Sequence, residues 1–365
     1  MHTVSELLSA LARRAPFEKA ADWDPVGLQL GDPAAHVQRV AVCHEVTEEV
    51  VRRLEQTRVD LLVSYHPLLF RATSRLLAGK TPTGRALRLA QERVALAVVH
   101  TNFDVAPGGT ADALAEALGL EEISGFAPLL GPEVRKVVTF LPADAAAPVL
   151  EAVSAAGAGR IGNYTHCSYR GEGLGTFFAG EGTDPATGSR GGRNEEPEVR
   201  LEFVVPRAVE ESVLEALVLA HPYEEPAFDV YERRGDAAMI GRIGRPADGT
   251  TLRALAERAR AELGHPVLRI AGDRDRALSR VAVIPGSGSA YLARAAQAGA
   301  DAVVTGDLDH HRVREALDRG LGLLDAGHAP TERPGLERLY AAVAAIGIET
   351  LSFLDLDPDP WHAQP

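Results

Sequence analysis

The stretch RVAVCHEVTEEVVRRLEQTRVDLLVSYHP, residues 39–67, decides the fold. RVAVCHEV reads as a strand. TEEVVRRLEQ reads as a helix, with Thr47 placed to cap its start. DLLVSYHP reads as a second strand, with Leu61, Leu62 and Val63 buried. Strand, helix and strand in close succession argue for a sheet with helices packed on it. His66 stands just past the second strand, between Tyr65 and Pro67. A histidine there is placed either to fill space or to hold something.

The pattern continues outward from this stretch. TGRALRLAQER is helical, VALAVVHTNFD a strand and ADALAEALGL a helix. A change comes near Gly131. RKVVTFLP, APVLEAVSAAGAG, EVRLEFVVP, AVEESVLEALVLAHP and FDVYER read as strand, helix, strand, helix and strand, which resembles a ferredoxin-like unit. Between its halves lies GEGTDPATGSRGGRNEEPE, residues 180–198, expected as a long exposed loop, mobile rather than catalytic. After about Gly241 the first pattern returns in RALSRVAVIPGSGSA, YLARAAQAGA, DAVVTGD, HHRVREALDRG, LGLLDAGH and ERLYAAVAAIG. DLDPDPWHAQP reads as a frayed tail. The fold class is therefore α/β. Two similar α/β halves form one body, residues 1–130 and 236–365, interrupted by an α+β insertion over residues 131–235.

Bulk composition narrows the function classes. A chain of 365 residues calls for two or three domains. Its 45% hydrophobic and 24% charged residues are ordinary for a soluble globular protein. A formal charge of -13 gives no net pull toward phosphate backbones or anionic lipid, which disfavours nucleic acid and membranes as partners. Cys43 and Cys167 are the only cysteines. They make neither a disulfide framework nor a zinc ribbon, and their scarcity suits a reducing, cytoplasmic location. MHTVSELLSALARR reads as an amphipathic helix rather than a signal peptide. No apolar run is long enough to span a membrane.

Four segments end a predicted strand with polar residues: SYHP, HTNFD, TGDLDHH and DAGHAPTE. Ligands of open α/β sheets bind beyond the carboxyl ends of the strands, so these segments are expected to converge. They carry His66, His100, Asp104, Asp307, His310, His311, Asp325, His328 and Glu332. That is a ligand set for zinc, iron, manganese or nickel, without thiolate. His328 and Glu332 share a face if their turn is helical, which fits if Pro330 opens the helix. Taken singly, each residue reads more simply as a cap or a surface group. Asp309, His311 and Asp318 look like parts of a solvated helix face. Clustering at strand ends argues for a site, because carboxylates are seldom buried without a partner or a metal. GSGS, residues 286–289, could cradle a phosphate but reads first as a tight turn. HPYEEPAFD, residues 221–229, is either a ligand or interface motif or a rigid turn, and the turn is the simpler reading.

WDPVGLQLGD, SYHPLLF, HTNFDVAPGGTAD and TGDLDHHRVREALDRGLGLLDAGHAPTERPG together resemble the Nif-three-like family. Its members are also known as dinuclear metal centre hexameric proteins and are commonly named GTP cyclohydrolase 1 type 2 homologues. AGAGRIGNYTHCSYRGEGLGTFFAGEG and AHPYEEPAFDVYE resemble the PII-like, CutA-like insertion of longer members. The resemblance implies a toroidal homo-hexamer with two adjacent divalent ions per subunit facing an internal cavity. It implies His66, Asp104, His328 and Glu332 as metal ligands. Tyr65 stands where many members have histidine, which puts the second ion in question. Either Tyr65 ligates as phenolate, or water fills the gap, or one position is weak. A neutral phenol keeps its proton to a pKa of about 10. The expected function is a metal-dependent hydrolase of a nucleotide or similar small molecule. Glu332 or Asp104 would bridge, His66 and His328 would be terminal ligands, and His100, Asp307 and His310 would orient ligands or move protons. The alternative is a non-catalytic regulatory or scaffold hexamer that binds metal.

Overall fold

The computed structural model describes residues 2–129, 134–232, 238–264, 268–356 and 359–361. The apolar runs of residues 39–98 form three parallel strands, Arg39–Cys43, Leu61–Ser64 and Ala95–Val98. Val40, Val42, Leu61, Val63 and Ala97 are buried on one face, Ala41, Cys43, Leu62 and Leu96 on the other. Burial on both faces is why these strands read as continuous apolar runs without alternation. The helix Glu48–Gln56 joins the first two strands. The Thr47 side chain accepts the Val50 N–H, and Val50, Val51 and Leu54 face the core.

This first sheet has five strands in the order Glu349–Ser352, Arg39–Cys43, Leu61–Ser64, Ala95–Val98 and Gly27–Leu30. A second sheet has six, in the order Arg269–Ala271, Gly322–Asp325, Ala302–Gly306, Val281–Ser287, Met239–Arg245 and Glu121–Pro128. Gly322–Asp325, Ala302–Gly306 and Val281–Ser287 run parallel, like the centre of the first sheet. The halves trade strands. Glu349–Ser352, late in the chain, pairs in parallel with Arg39–Cys43. Glu121–Pro128, from the early part of the chain, pairs with Met239–Arg245 in the second sheet.

The chain divides into two compact units, residues 1–130 with 238–365, and residues 131–237. The second unit has strands Val134–Leu141, Ser168–Phe178, Arg193–Pro206 and Phe228–Glu232, with helices Ala146–Ala155 and Glu210–Ala220. All its strand pairs are antiparallel, in the spatial order fourth, first, third, second, which is the ferredoxin-like arrangement. Val137, Leu141, Val149, Leu201, Phe203 and Leu217 fill its core.

Local differences from the sequence reading have local causes. The expected loop over 180–198 ends early, because Arg193 already pairs with Phe178 across the sheet. HTNFD does not prolong its strand. The chain turns into a short helix, Thr101–Val105, after the Asn102 side chain accepts the His100 N–H at 2.9 Å. The helix His328–Ala344 opens at His328, two residues before Pro330. Pro330 lies in the first turn, where its missing N–H has no intrahelical partner to lose. Residues 357–358 and 362–365 of the expected tail lie outside the described residues. No helix among the described residues is long and apolar enough to cross a membrane.

Gly335, on the His328–Ala344 helix, lies against the start of the Thr110–Ala117 helix. A Cβ at Gly335 would stand 2.6 Å from the Thr110 Cα. Gly335→Val is expected to cost about 1–3 kcal/mol by overpacking against backbone. The measurement is the shift in denaturant midpoint; an unchanged midpoint would refute this account of the contact.

Candidate metal centre

The parallel strands of each sheet bring their carboxyl ends to one edge, and the polar segments follow those ends. His44 comes directly after Arg39–Cys43, and Tyr65 and His66 after Leu61–Ser64. The pairing continues one step beyond the strands: Tyr65 N–H donates to the Cys43 carbonyl at 3.0 Å and His66 N–H to the His44 carbonyl at 2.8 Å. That ladder fixes the two imidazoles side by side, their ring centroids 4.4 Å apart.

Glu332 stands at the middle. It is 2% exposed, one turn into its helix. His44 Nε2 lies 2.7 Å from its Oε2, His328 Nε2 3.1 Å from its Oε1, and His66 Nε2 3.3 Å from its Oε2. The donor atoms of His44, His66 and Glu332 all lie within 4.8 Å of one another. The outer nitrogens are also held. His66 Nδ1 meets Glu45 Oε1 at 2.9 Å, and His328 Nδ1 meets Asp307 Oδ2 at 2.6 Å. A carboxylate on one ring nitrogen, with the other turned to a shared point, is how proteins orient metal-binding histidines. The residues present therefore fit a divalent ion of the zinc, iron, manganese or nickel class.

The charges follow from this crowding. Burial opposes ionisation of Glu332, yet the charge of His66 and hydrogen bonds from His328, His44 and His66 hold its carboxyl well below the usual range. Burial likewise opposes protonation of His66, but Glu332 and Glu45 push it up to about 10. His328 rises against burial to about 9, through Glu332 and Asp307. Without a metal, protons on these imidazoles supply the positive charge that a buried carboxylate requires.

Beside this group Tyr65, fully buried, donates its phenol hydrogen to Asp104 Oδ1 in a short hydrogen bond. Burial, together with the Asp104 and Glu332 charges, drives the Tyr65 pKa well above its ordinary value. In the metal-free fold the phenol is thus held protonated. Burial raises Asp104 itself to about 6, despite the pull of His100 and the Tyr65 bond. His100 Nδ1 lies 3.0 Å from Asp24 Oδ2, which also accepts the Thr101 N–H at 3.0 Å and the Thr101 hydroxyl at 2.5 Å. The other Asp24 oxygen, Oδ1, is buried with no hydrogen-bond partner. Trp23 packs edge-on to both His100 and Phe70, with centroids 6.4 and 5.9 Å away.

Of the residues singled out in the sequence, the structure gathers His66, His328 and Glu332 and backs His328 with Asp307. Asp104 lies one residue away, on Tyr65, and His100 packs edge-on to both Tyr65 and His66 at 5.2 Å. His310 is placed elsewhere. It is exposed at the start of its helix, against His311 at 5.5 Å, and lines a shallow cavity with Arg269 and Asp325. Asp325 is tied to the Arg269 guanidinium. Asp309 caps the same helix by accepting the Arg312 N–H at 3.0 Å. The sequence reading missed His44, Glu45 and Asp24. The signal for His44 was available: it ends RVAVCH as His66 ends LLVSYH. GSGS does not form the expected tight turn: Gly286 and Ser287 end the strand Val281–Ser287, where the pairing register shifts beside the centre. Gly286 has φ +64°, and a Cβ there would lie 2.6 Å from Glu332 Oε1 and 3.2 Å from His328 Nε2.

Comparison with known proteins agrees over almost the whole chain. Residues 2–360 match the family model described as Duf34/NIF3 (NGG1p interacting factor 3). A Mycobacterium tuberculosis protein named GTP cyclohydrolase 1 type 2 homolog is 38% identical over 338 residues, covering 91% of this chain and 88% of that one. A Bacillus subtilis protein of the same name is 35% identical over 326 residues, covering 88% and 87%. The crystal structure of a Bacillus cereus protein related to NIF3 superposes with a TM-score of 0.67 at 34% identity, covering 100% of this chain and 99% of that one. A Staphylococcus aureus crystal structure gives 0.71 at 28% identity, with 100% and 99% covered.

Two outcomes follow from the geometry. His66 loses its proton near 6.5 when unfolded but near 10 in the metal-free fold. Its contribution to stability is therefore full below pH 6.5 and lost as pH rises through 10. The melting temperature of metal-free protein is expected to fall between pH 7 and 10, and zinc added at pH 7 in weak buffer should release protons. A flat pH profile with no proton release would count against the assignment. Gly286→Ala is expected to weaken zinc affinity at least about tenfold, read by competition with a chelating dye; unchanged affinity would show that this strand end does not support the centre.

Proposed function

This chain belongs to the Duf34/NIF3 family, and from that premise we propose that it is a metal-dependent hydrolase acting on a nucleotide or a similar small molecule. The carrying observation is the buried Glu332 carboxylate with three imidazoles turned onto it, two of them backed by carboxylates. A divalent ion there would supply Lewis-acid activation of water and of a substrate oxygen. His44, His66 and Glu332 would hold it, with His328 on the second Glu332 oxygen.

The chain's own groups supply the remaining work. Asp24 fixes His100 through Nδ1, leaving Nε2 to take or give a proton. Asp104, with a pKa of about 6, changes protonation near neutrality and accepts the Tyr65 phenol hydrogen when ionised. Trp23 and Phe70, 58% and 51% exposed, offer rings against which a planar substrate could stack, which suits the GTP cyclohydrolase name of the relatives. A second ion would bind at Asp104, in competition with Tyr65. The family resemblance also leads us to a homo-hexamer in the cytoplasm, which a solution mass of six chains would support.

The Tyr65–Asp104 bond favours one firm metal position over two, and a metal-binding regulatory role gains if turnover is absent. The test is metal content per chain for wild type and Tyr65→His, with turnover on GTP and a phosphoester panel. One ion in wild type, two in Tyr65→His, and a loss of about 10²-fold or more in turnover for His100→Ala are expected. Two tightly held ions in wild type would overturn the competition by Tyr65. No turnover by any metal-loaded form would overturn the hydrolase in favour of the regulatory role.

A further inference from the structure

The HPYEEPAFD segment takes no part in the metal centre. In the inserted unit it forms one wall of a cavity of about 360 Å³, within the size range of small-metabolite sites. Its turn is rigid for an identifiable reason. The Tyr223 N–H donates to His221 Nδ1 at 3.1 Å, which leaves Nε2–H to donate to the Phe140 carbonyl at 3.2 Å. Opposite, Glu224 accepts the Asp184 N–H at 3.0 Å and ties the 180–187 loop to the turn.

The lining has one chemical character. Phe140, Phe177, Phe178 and Tyr223 supply aromatic surface. Asp184, Glu198, Glu224 and Glu225 supply carboxylates, and no lysine, arginine or histidine lines the cavity among the described residues. Asp184 is met by Arg190 at 3.0 Å. Glu198 is held differently: the Tyr223 hydroxyl donates to its Oε1 at 2.6 Å. Its carboxylate lies across Gly175 of the neighbouring strand, where a Cβ would be 2.1 Å from Oε2. Gly171, Gly173 and Gly175 alternate along that strand opposite Arg200, Glu198 and Glu196, so over that stretch its face carries no side chains and leaves room for theirs. One ring already shows the chemistry, because the Arg200 guanidinium lies 5.8 Å from the Phe140 centroid.

An anion such as a nucleotide phosphate would face four carboxylates here and no cationic side chain of the lining among the described residues. A cation would find both a fixed carboxylate and aromatic faces, the combination that binds ammonium and guanidinium groups. We propose that the inserted unit carries a pocket for a small organic cation, an amine or guanidinium on a flat or short apolar body. This site is separate in its residues and in its chemistry from the metal centre, and it does not rest on the hydrolase reading.

The experiment uses the full-length chain, with benzamidine and agmatine as cationic probes and benzamide as the neutral match to benzamidine. Binding is read by calorimetry and by saturation transfer from the protein to the probe. Both cations are expected to bind, benzamide at least about tenfold more weakly than benzamidine. Glu198→Gln should weaken both cations by about tenfold or more with an unchanged melting temperature. If Glu198→Gln fails to fold, Glu225→Gln, on an exposed carboxylate of the rim, gives the same reading at smaller amplitude. Binding should persist in His328→Ala and after chelation. Equal binding of benzamide, no effect of either substitution, loss of binding on chelation, or no cation binding at millimolar concentration would each overturn the proposal.

Discussion

The structure turns on one buried charge. Glu332 comes from the second half of the α/β body, yet two of the imidazoles turned onto it, His44 and His66, come from the first. A carboxylate in that setting costs several kcal/mol unless positive charge stands against it. That charge is either protons shared among the histidines or a metal ion. Much of the local architecture serves this requirement. The strand ends aim the side chains, Glu45 and Asp307 fix the rings, and Gly286 leaves the space that Glu332 and His328 occupy.

Tyr65 gives the neighbouring carboxylate a different kind of partner. Its phenol donates a hydrogen to Asp104, and burial disfavours loss of that hydrogen. The two sides of the site thus differ in kind. On one side a carboxylate is surrounded by imidazoles; on the other a carboxylate is already satisfied by a neutral donor.

The sequence made most of this legible, and the gaps have physical reasons. The alternation of strands and helices was plain because buried parallel strands are uninterrupted apolar runs. His66, His328 and Glu332 stood out because each sits in a polar break after such a run. His44 did not, although with Glu45 it makes the same kind of polar break after RVAVC, because RVAVCHEV reads whole as a strand. Asp24 was hidden for another reason: its partners are His100 and Thr101, distant in sequence, and only the fold joins them. His310 follows a strand end like the others, but there a helix capped by Asp309 begins and leaves it exposed. The exchange of strands between the halves left no mark in the sequence, since a strand's propensity does not name its partner.

That exchange has a consequence for how the protein is made. While the chain emerges from the ribosome, the strand Arg39–Cys43 waits with one edge unpaired until its neighbour Glu349–Ser352 has been synthesised. Glu332 too lies far downstream of the two histidines it meets. The first sheet cannot be closed, nor the carboxylate set among its imidazoles, before those segments are made. A nascent chain that stops short of residue 332 carries an open sheet edge and two histidines without the shared carboxylate between them, only Glu45 being in place on His66.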